Sequence, residues 1–143
     1  MTKGQVLLEL VVALGLAMMA LVAVVQVTTR SVSLVGYSKR QTESTTYADS
    51  AIEWVRNWKK DNGWSSFAAK ASAGGTTYCL NDLSWAPDTD CKVITGTVYT
   101  REATLTTLGA NQIQLVVQVS HQETTGAVVR TVSSNQTVIF SRY

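Results

Sequence analysis

Apolar residues fill the chain from Val6 to Val25, and Glu9 is the single ionisable group in that run, VLLELVVALGLAMMALVAVV. About 20 residues at roughly 1.5 Å of rise each match the hydrocarbon thickness of a bilayer, so the pattern predicts a membrane-spanning helix. Beyond it, Tyr47, Ala51, Trp54, Val55 and Trp58 recur at three and four residues, which predicts an amphipathic continuation. No proline occurs before Pro87. Lys59 and Lys60 followed by Asp61, Asn62 and Gly63 form a C-terminal signal, placing the helix end at Asn62 or Gly63. A helix from Gln5 to that point would be about 85 Å long. The stretch TTRSVSLVGYSKRQTESTT is rich in weak helix formers, and Gly36 is its expected soft point. Tryptophans at helical spacing are expected to be core, with Trp54 and Trp58 docking the helix onto a sheet rather than forming a ligand platform.

The period changes to two in the C-terminal half. Ile113, Leu115, Val117 and Val119 alternate with Gln112, Gln114, Gln118 and Ser120, a half-buried strand with one polar face that His121 continues on the apolar side. CKVITGTVYTREATLTTL precedes it as one long or two short strands, with GAN as the turn. ETTGA then reverses the chain into VVRTVSSNQTVIFSRY. The expected fold class is α+β: a long N-terminal helix, membrane-spanning in its first half, packed on a small antiparallel C-terminal sheet of three or four strands. WSSFAAKASAGGTTYCLNDLSWAPDTDCK links the two as a Gly- and Ser-rich connection punctuated by Pro87.

Composition narrows the function classes. The 143 residues allow one modest domain. A net charge of +2 argues against a strong electrostatic grip on nucleic acid, and Arg101, Arg130 and Arg142 are too scattered to form a basic stripe. No phosphate loop, dinucleotide fingerprint or metal-ligand cluster is present, and the single histidine, His121, has no sequence-local catalytic partners. The chain is therefore expected not to be an enzyme and to need no cofactor. A conventional signal peptide predicts a longer basic start and a small-x-small cleavage site, which LVAVVQVTTRS does not offer. Lys3 flanks one side of the span and Arg30, Lys39 and Arg40 the other, so charge alone would put the body in the cytoplasm.

KGQVLLELVVALGL resembles the class III signal of type IV prepilins and of type II secretion pseudopilins: a short basic leader ending in Gly, then an apolar helix with Glu at its fifth mature position. Gly4 matches the residue before the cut, Gln5 the new N-terminus and Glu9 the acidic position. The resemblance covers about the first 30 residues. It implies a pilin-like fold, cleavage after Gly4 by a prepilin peptidase on the cytoplasmic side, methylation of the new amine, and retention of the span with an extracytoplasmic body. The implied partners are other pilin or pseudopilin subunits, that peptidase, an inner-membrane assembly platform, and the lipid bilayer before assembly. Gln5 stands where Phe is usual, and an N-terminal Gln can also cyclise and lose its charge. The helix also lacks the Pro that many pilins carry in its first half, which suggests a straighter helix or one that melts at Gly15. The closing VVRTV and TVIFSR pattern looks like minor subunits.

An ionised carboxylate at the bilayer centre costs a few kcal/mol, so Glu9 calls for a cation. The amine exposed at Gln5 would lie one turn away, at the positive end of the helix dipole. Self-neutralisation is one reading; pairing with the amine of a neighbouring subunit, as the family implies, is the other and the preferred one. The organisation expected is a leader over 1–4, a transmembrane and polymerisation half over 5–29, an extramembrane helix over 30–62, a variable loop over 63–91 and a sheet over 92–143. Export would fit a disulfide between Cys79 and Cys91 contributing about 2 to 3 kcal/mol, the alternative being a pair of reduced thiols. Some pseudopilins hold calcium in a loop of this region, making Asp82, Asp88 and Asp90, with Asn81, the candidate ligands. The run lacks the alternate-position spacing of a calcium loop, so solvated turn residues are the expectation. The competing function is a single-pass anchored, extracytoplasmic binding domain that never polymerises.

Overall fold

The computed structural model describes residues 3–87, 89, 91–125 and 128–142. Two units divide the chain, Met1–Arg40 and Gln41–Tyr143. A long helix and a five-stranded antiparallel sheet make an α+β layout: α1 Lys3–Ala68, β1 Thr76–Cys79, β2 Ala86–Pro87, β3 Tyr99–Gly109, β4 Gln112–Thr125 and β5 Val128–Ser141.

Helical dihedrals persist through Gly15, the straighter of the two alternatives there, and through Gly36, the expected soft point; Gly63 alone departs, at φ 77° and ψ 168°. Threonines in the weak stretch turn their hydroxyls back onto the helix. The hydroxyls of Thr28, Thr29, Thr45 and Thr46 each donate to the carbonyl four residues back at 2.9 Å, so their polar atoms compete less with the helix for other partners. The Asn62 amide donates to the Trp58 carbonyl at 2.9 Å, just before Gly63 takes the left-handed φ that ends the first helical run. Trp64–Ala68 resumes as a short helical turn that carries Phe67 into the core.

In the second unit, Ala48, Ala51, Ile52 and Val55 form the buried helical seam, spaced for one face of a 3.6-residue period. Opposite them lie Tyr99, Ala103 and Leu105 of β3, Ile113, Leu115, Val117 and Val119 of β4, and Phe140 of β5. The alternation read from the sequence of β4 is the alternation observed, and register follows from it: Leu105 pairs Leu115 and Leu115 pairs Val138, which puts apolar side chains of three strands on one face. The outer face is polar, with hydroxyl pairs Thr77–Thr104 at 2.9 Å and Thr100–Ser120 at 2.7 Å across strands.

The spatial order is β2-β1-β3-β4-β5. β3, β4 and β5 form the expected meander, with β3 a single strand that begins at Tyr99 because the Thr95–Gly96 turn, closed by Thr97 N–H to the Ile94 carbonyl at 2.9 Å, occupies the chain before it. Gly126 and Ala127 of the second expected turn lie outside the described residues. The connection over 63–91 is not wholly irregular. It contributes the helical turn to Ala68 and two strands, because Tyr78 and Cys79 find partners in Ala103 and Glu102 on one side and in Pro87 and Ala86 on the other. Gly75 permits this approach: its φ is +82°, and a Cβ there would lie 3.1 Å from both Thr104 Cγ2 and Thr106 Oγ1.

Candidate functional site

At the N-terminal end of α1, Gly4, Gln5 and Glu9 are exposed within the first turns. Helical side chains lean toward the helix N-terminus, so position 9 lies over the turn that begins at Gln5. Glu9 is set among Leu7, Leu8, Leu10 and Val11, and every large apolar side chain from Leu7 to Val27 is between 51% and 73% exposed. This helix is long and apolar enough to cross a membrane. An apolar surface of this extent exceeds what a soluble monomer ordinarily exposes.

The second region is the loop closed by the Cys79–Cys91 disulfide, whose Cα atoms are 5.2 Å apart. β1 supplies the first cysteine at its last residue, so the bond fastens the chain after β2 back onto the sheet. Beside it a cavity of about 310 Å³ is lined by Cys79, Asn81, Asp82, Ser84, Pro87 and Lys92 among others. Of the calcium candidates, Asp82 is exposed, while Asp88 and Asp90 lie outside the described residues. Among the described residues no group of three or more His, Cys, Asp or Glu side chains could hold a metal ion.

Arg101 anchors this loop to the helix. It occupies an inward position of β3 and is 3% exposed. Its guanidinium donates to the Leu80 carbonyl from Nε at 3.0 Å and Nη2 at 2.6 Å, and to the Tyr47 carbonyl and Ser50 Oγ from Nη1 at 2.9 and 2.6 Å. Its own N–H donates to Asn81 Oδ1 at 3.0 Å. Burial holds the guanidinium below the usual arginine range, and Tyr47 and the Asp82 carboxylate act in the opposite sense. Nearby, the Tyr99 hydroxyl donates to Glu43 Oε2 at 3.0 Å and its ring meets His121 edge-on at 5.1 Å between centroids. His121 is buried, with Nε2 3.4 Å from Glu123 Oε1.

Trp54 and Trp58 pack against Trp85, at 5.0 and 5.4 Å between centroids, and Tyr78 stacks edge-on to the same ring at 5.0 Å. They therefore dock α1 onto the connection before β2 and onto β1, while the small residues Ala48 and Ala51 face the meander. Lys70 Nζ lies 5.5 to 5.8 Å from the Trp58, Tyr78 and Trp85 rings, so the chain fills its own cation-accepting surface.

The structure brings Cys79 and Cys91 together and sets Gln5 and Glu9 one turn apart. No protein-family model, curated protein or solved structure matches this chain. The residue that sequence reasoning missed is Arg101. Its signal was available: in Tyr99, Arg101, Ala103, Leu105 it holds an inward place in a period-two pattern, where a charge demands partners.

Proposed function

We propose that this chain is a minor structural subunit of a type IV pilus or a type II secretion pseudopilus. A prepilin peptidase cuts after Gly4, the span remains in the inner membrane with the sheet outside the cytoplasm, and the subunit then enters a filament through its N-terminal helix. The observation that carries the proposal is Glu9, the one carboxylate in the exposed apolar stretch from Leu7 to Val27, one turn from the amine that cleavage would create at Gln5.

Physical chemistry supports an intermolecular role for that carboxylate. A charge placed only to neutralise its own N-terminus would be cheaper to omit, since desolvating two ions is offset only when the pair is well made. In a helical bundle of subunits, Glu9 of one copy meets the Gln5 amine of the next, and the apolar side chains from Leu7 to Val27 exchange lipid for neighbouring helices. Register along the filament is then fixed by the only charges in an otherwise featureless apolar surface. The Glu9→Val variant tests this. It should accumulate in the membrane at wild-type levels and be absent from filaments; incorporation at normal levels would contradict the pairing.

The second reading, an anchored binding domain that does not polymerise, draws support from the second unit, which carries its own core between α1 and the sheet. Under that reading Glu9→Val changes nothing but the ease of membrane insertion.

A further inference from the structure

We infer that the outer edge of β5 is a strand-addition site for an extended, acidic segment of a partner protein. This goes beyond the filament reading and does not depend on it.

The two edges of the sheet are unlike. β2 has two residues and ends in Pro87, which has no N–H to offer, so that edge is blunted. β5 is 14 residues long and pairs with β4 without a break in register from Gln112–Ser141 to Thr125–Val128. Among the described residues no strand pairs with its outer edge. Long edges are ordinarily protected by lysines, prolines or bulges; over its whole length β5 contains one charged residue, Arg130, and no proline.

The helix gives this edge a chemical preference. Gln41 Nε2 lies 3.4 Å from Ser134 Oγ and Lys59 Nζ donates to the Ser141 carbonyl at 2.9 Å, so α1 accompanies β5 over its second half. Between them is a groove of about 450 Å³ lined by Arg56, Lys59 and Lys60 from the helix and by Val138, Ile139 and Phe140 from the strand. Lys59 is fixed by that hydrogen bond and lies 5.1 and 5.4 Å from the Trp64 and Phe140 rings. Arg56 is paired with exposed Glu53, which leaves three cations against one carboxylate along the groove. An added strand would take main-chain hydrogen bonds from β5 up to Ser141, whose carbonyl Lys59 already occupies, place an apolar side chain beside half-buried Val138, and set carboxylates against Arg56 and Lys60. A second copy fits worse: β5 has no acidic residue, so pairing β5 with β5 would bring only arginines to the site.

Hydrogen exchange on the full-length protein in detergent micelles, with two short synthetic peptides of alternating Glu/Val and alternating Lys/Val, tests this. The Glu/Val peptide should slow exchange in residues 128–141 by about tenfold at alternate amides and leave β3 unchanged, whereas the Lys/Val peptide should not. In Arg56→Glu with Lys60→Glu, both at exposed positions, the preference should reverse at unchanged melting temperature. No protection by the Glu/Val peptide, equal protection by both peptides, or protection that appears without peptide as protein concentration rises, the mark of a second copy, would each overturn the proposal.

Discussion

Arg101 donates twice to the carbonyl oxygen of Leu80, from Nε at 3.0 Å and Nη2 at 2.6 Å, and so joins the strand in the middle of the sheet to the first residue beyond β1. With its bond to the Tyr47 carbonyl, the same side chain ties helix, strand and disulfide loop at one buried point. Removing it deletes these donors, although the Leu80 carbonyl keeps the Leu83 N–H at 3.1 Å and the Tyr47 carbonyl keeps the Ser50 hydroxyl at 2.8 Å. Arg101→Met should lower stability by about 1.5–3 kcal/mol, the net contribution of hydrogen bonding to a charged group. Arg101→Lys should do much the same, since one ammonium cannot span the Leu80 and Tyr47 carbonyls in Arg's fork geometry. Denaturant midpoints decide it, and a Met variant as stable as wild type would contradict the account.

Tyr78 gives a pH dependence. Burial raises its pKa above the ordinary value of 10.0, and its hydroxyl donates to the Lys70 carbonyl at 3.0 Å. The folded state therefore holds this proton where the unfolded chain releases it. The contribution is fully present below the ordinary tyrosine value and is lost as pH rises from there through the raised value of the folded state. Tyr78→Phe should flatten the alkaline fall in melting temperature while losing about 1 kcal/mol at neutral pH. An unchanged alkaline slope would exclude Tyr78 as its source.

Replacing both Cys79 and Cys91 by Ser should lower stability by about 2–3 kcal/mol, chiefly by freeing the unfolded chain, with β3, β4 and β5 retained. Non-reducing peptide mapping of the wild type should recover the two cysteines in one linked fragment, as their bond requires.

Gly75→Ala should cost about 1 kcal/mol or more, because the φ of +82° disfavours any Cβ and the new methyl would press on Thr104 and Thr106. Gly36→Ala, at a helical position with open space around it, should stabilise the helix instead, by up to about 1 kcal/mol. Circular dichroism melts of the two variants should move in opposite directions.

The parts of the fold legible in the sequence are those whose signal is local and periodic. Ala51 and Val55 recur at helical spacing, and Ile113 to Val119 alternate, so both buried faces could be read directly. β1 and β2 could not, because TTYC and AP are too short to carry a period and owe their extended form to partners distant in the chain, such as Ala103 for Tyr78. Pro87 even argues against a strand until the strand is known to lie at an edge. At the site, the spacing of Gln5 and Glu9 was visible in the sequence. The hydrogen bonding of Arg101 was not, since all but Ser50 Oγ of the guanidinium's acceptors are main-chain carbonyls, such as those of Tyr47 and Leu80, which no side-chain pattern announces.

The most direct measurement is the mass of the N-terminal peptide of the protein isolated from its native host. A polymerising subunit should begin at Gln5, with the amine methylated, free or cyclised, and with Glu9 still in the span that follows. A chain that keeps Met1 ahead of an intact span has never exposed the amine proposed to pair with Glu9, and would contradict assembly through this helix.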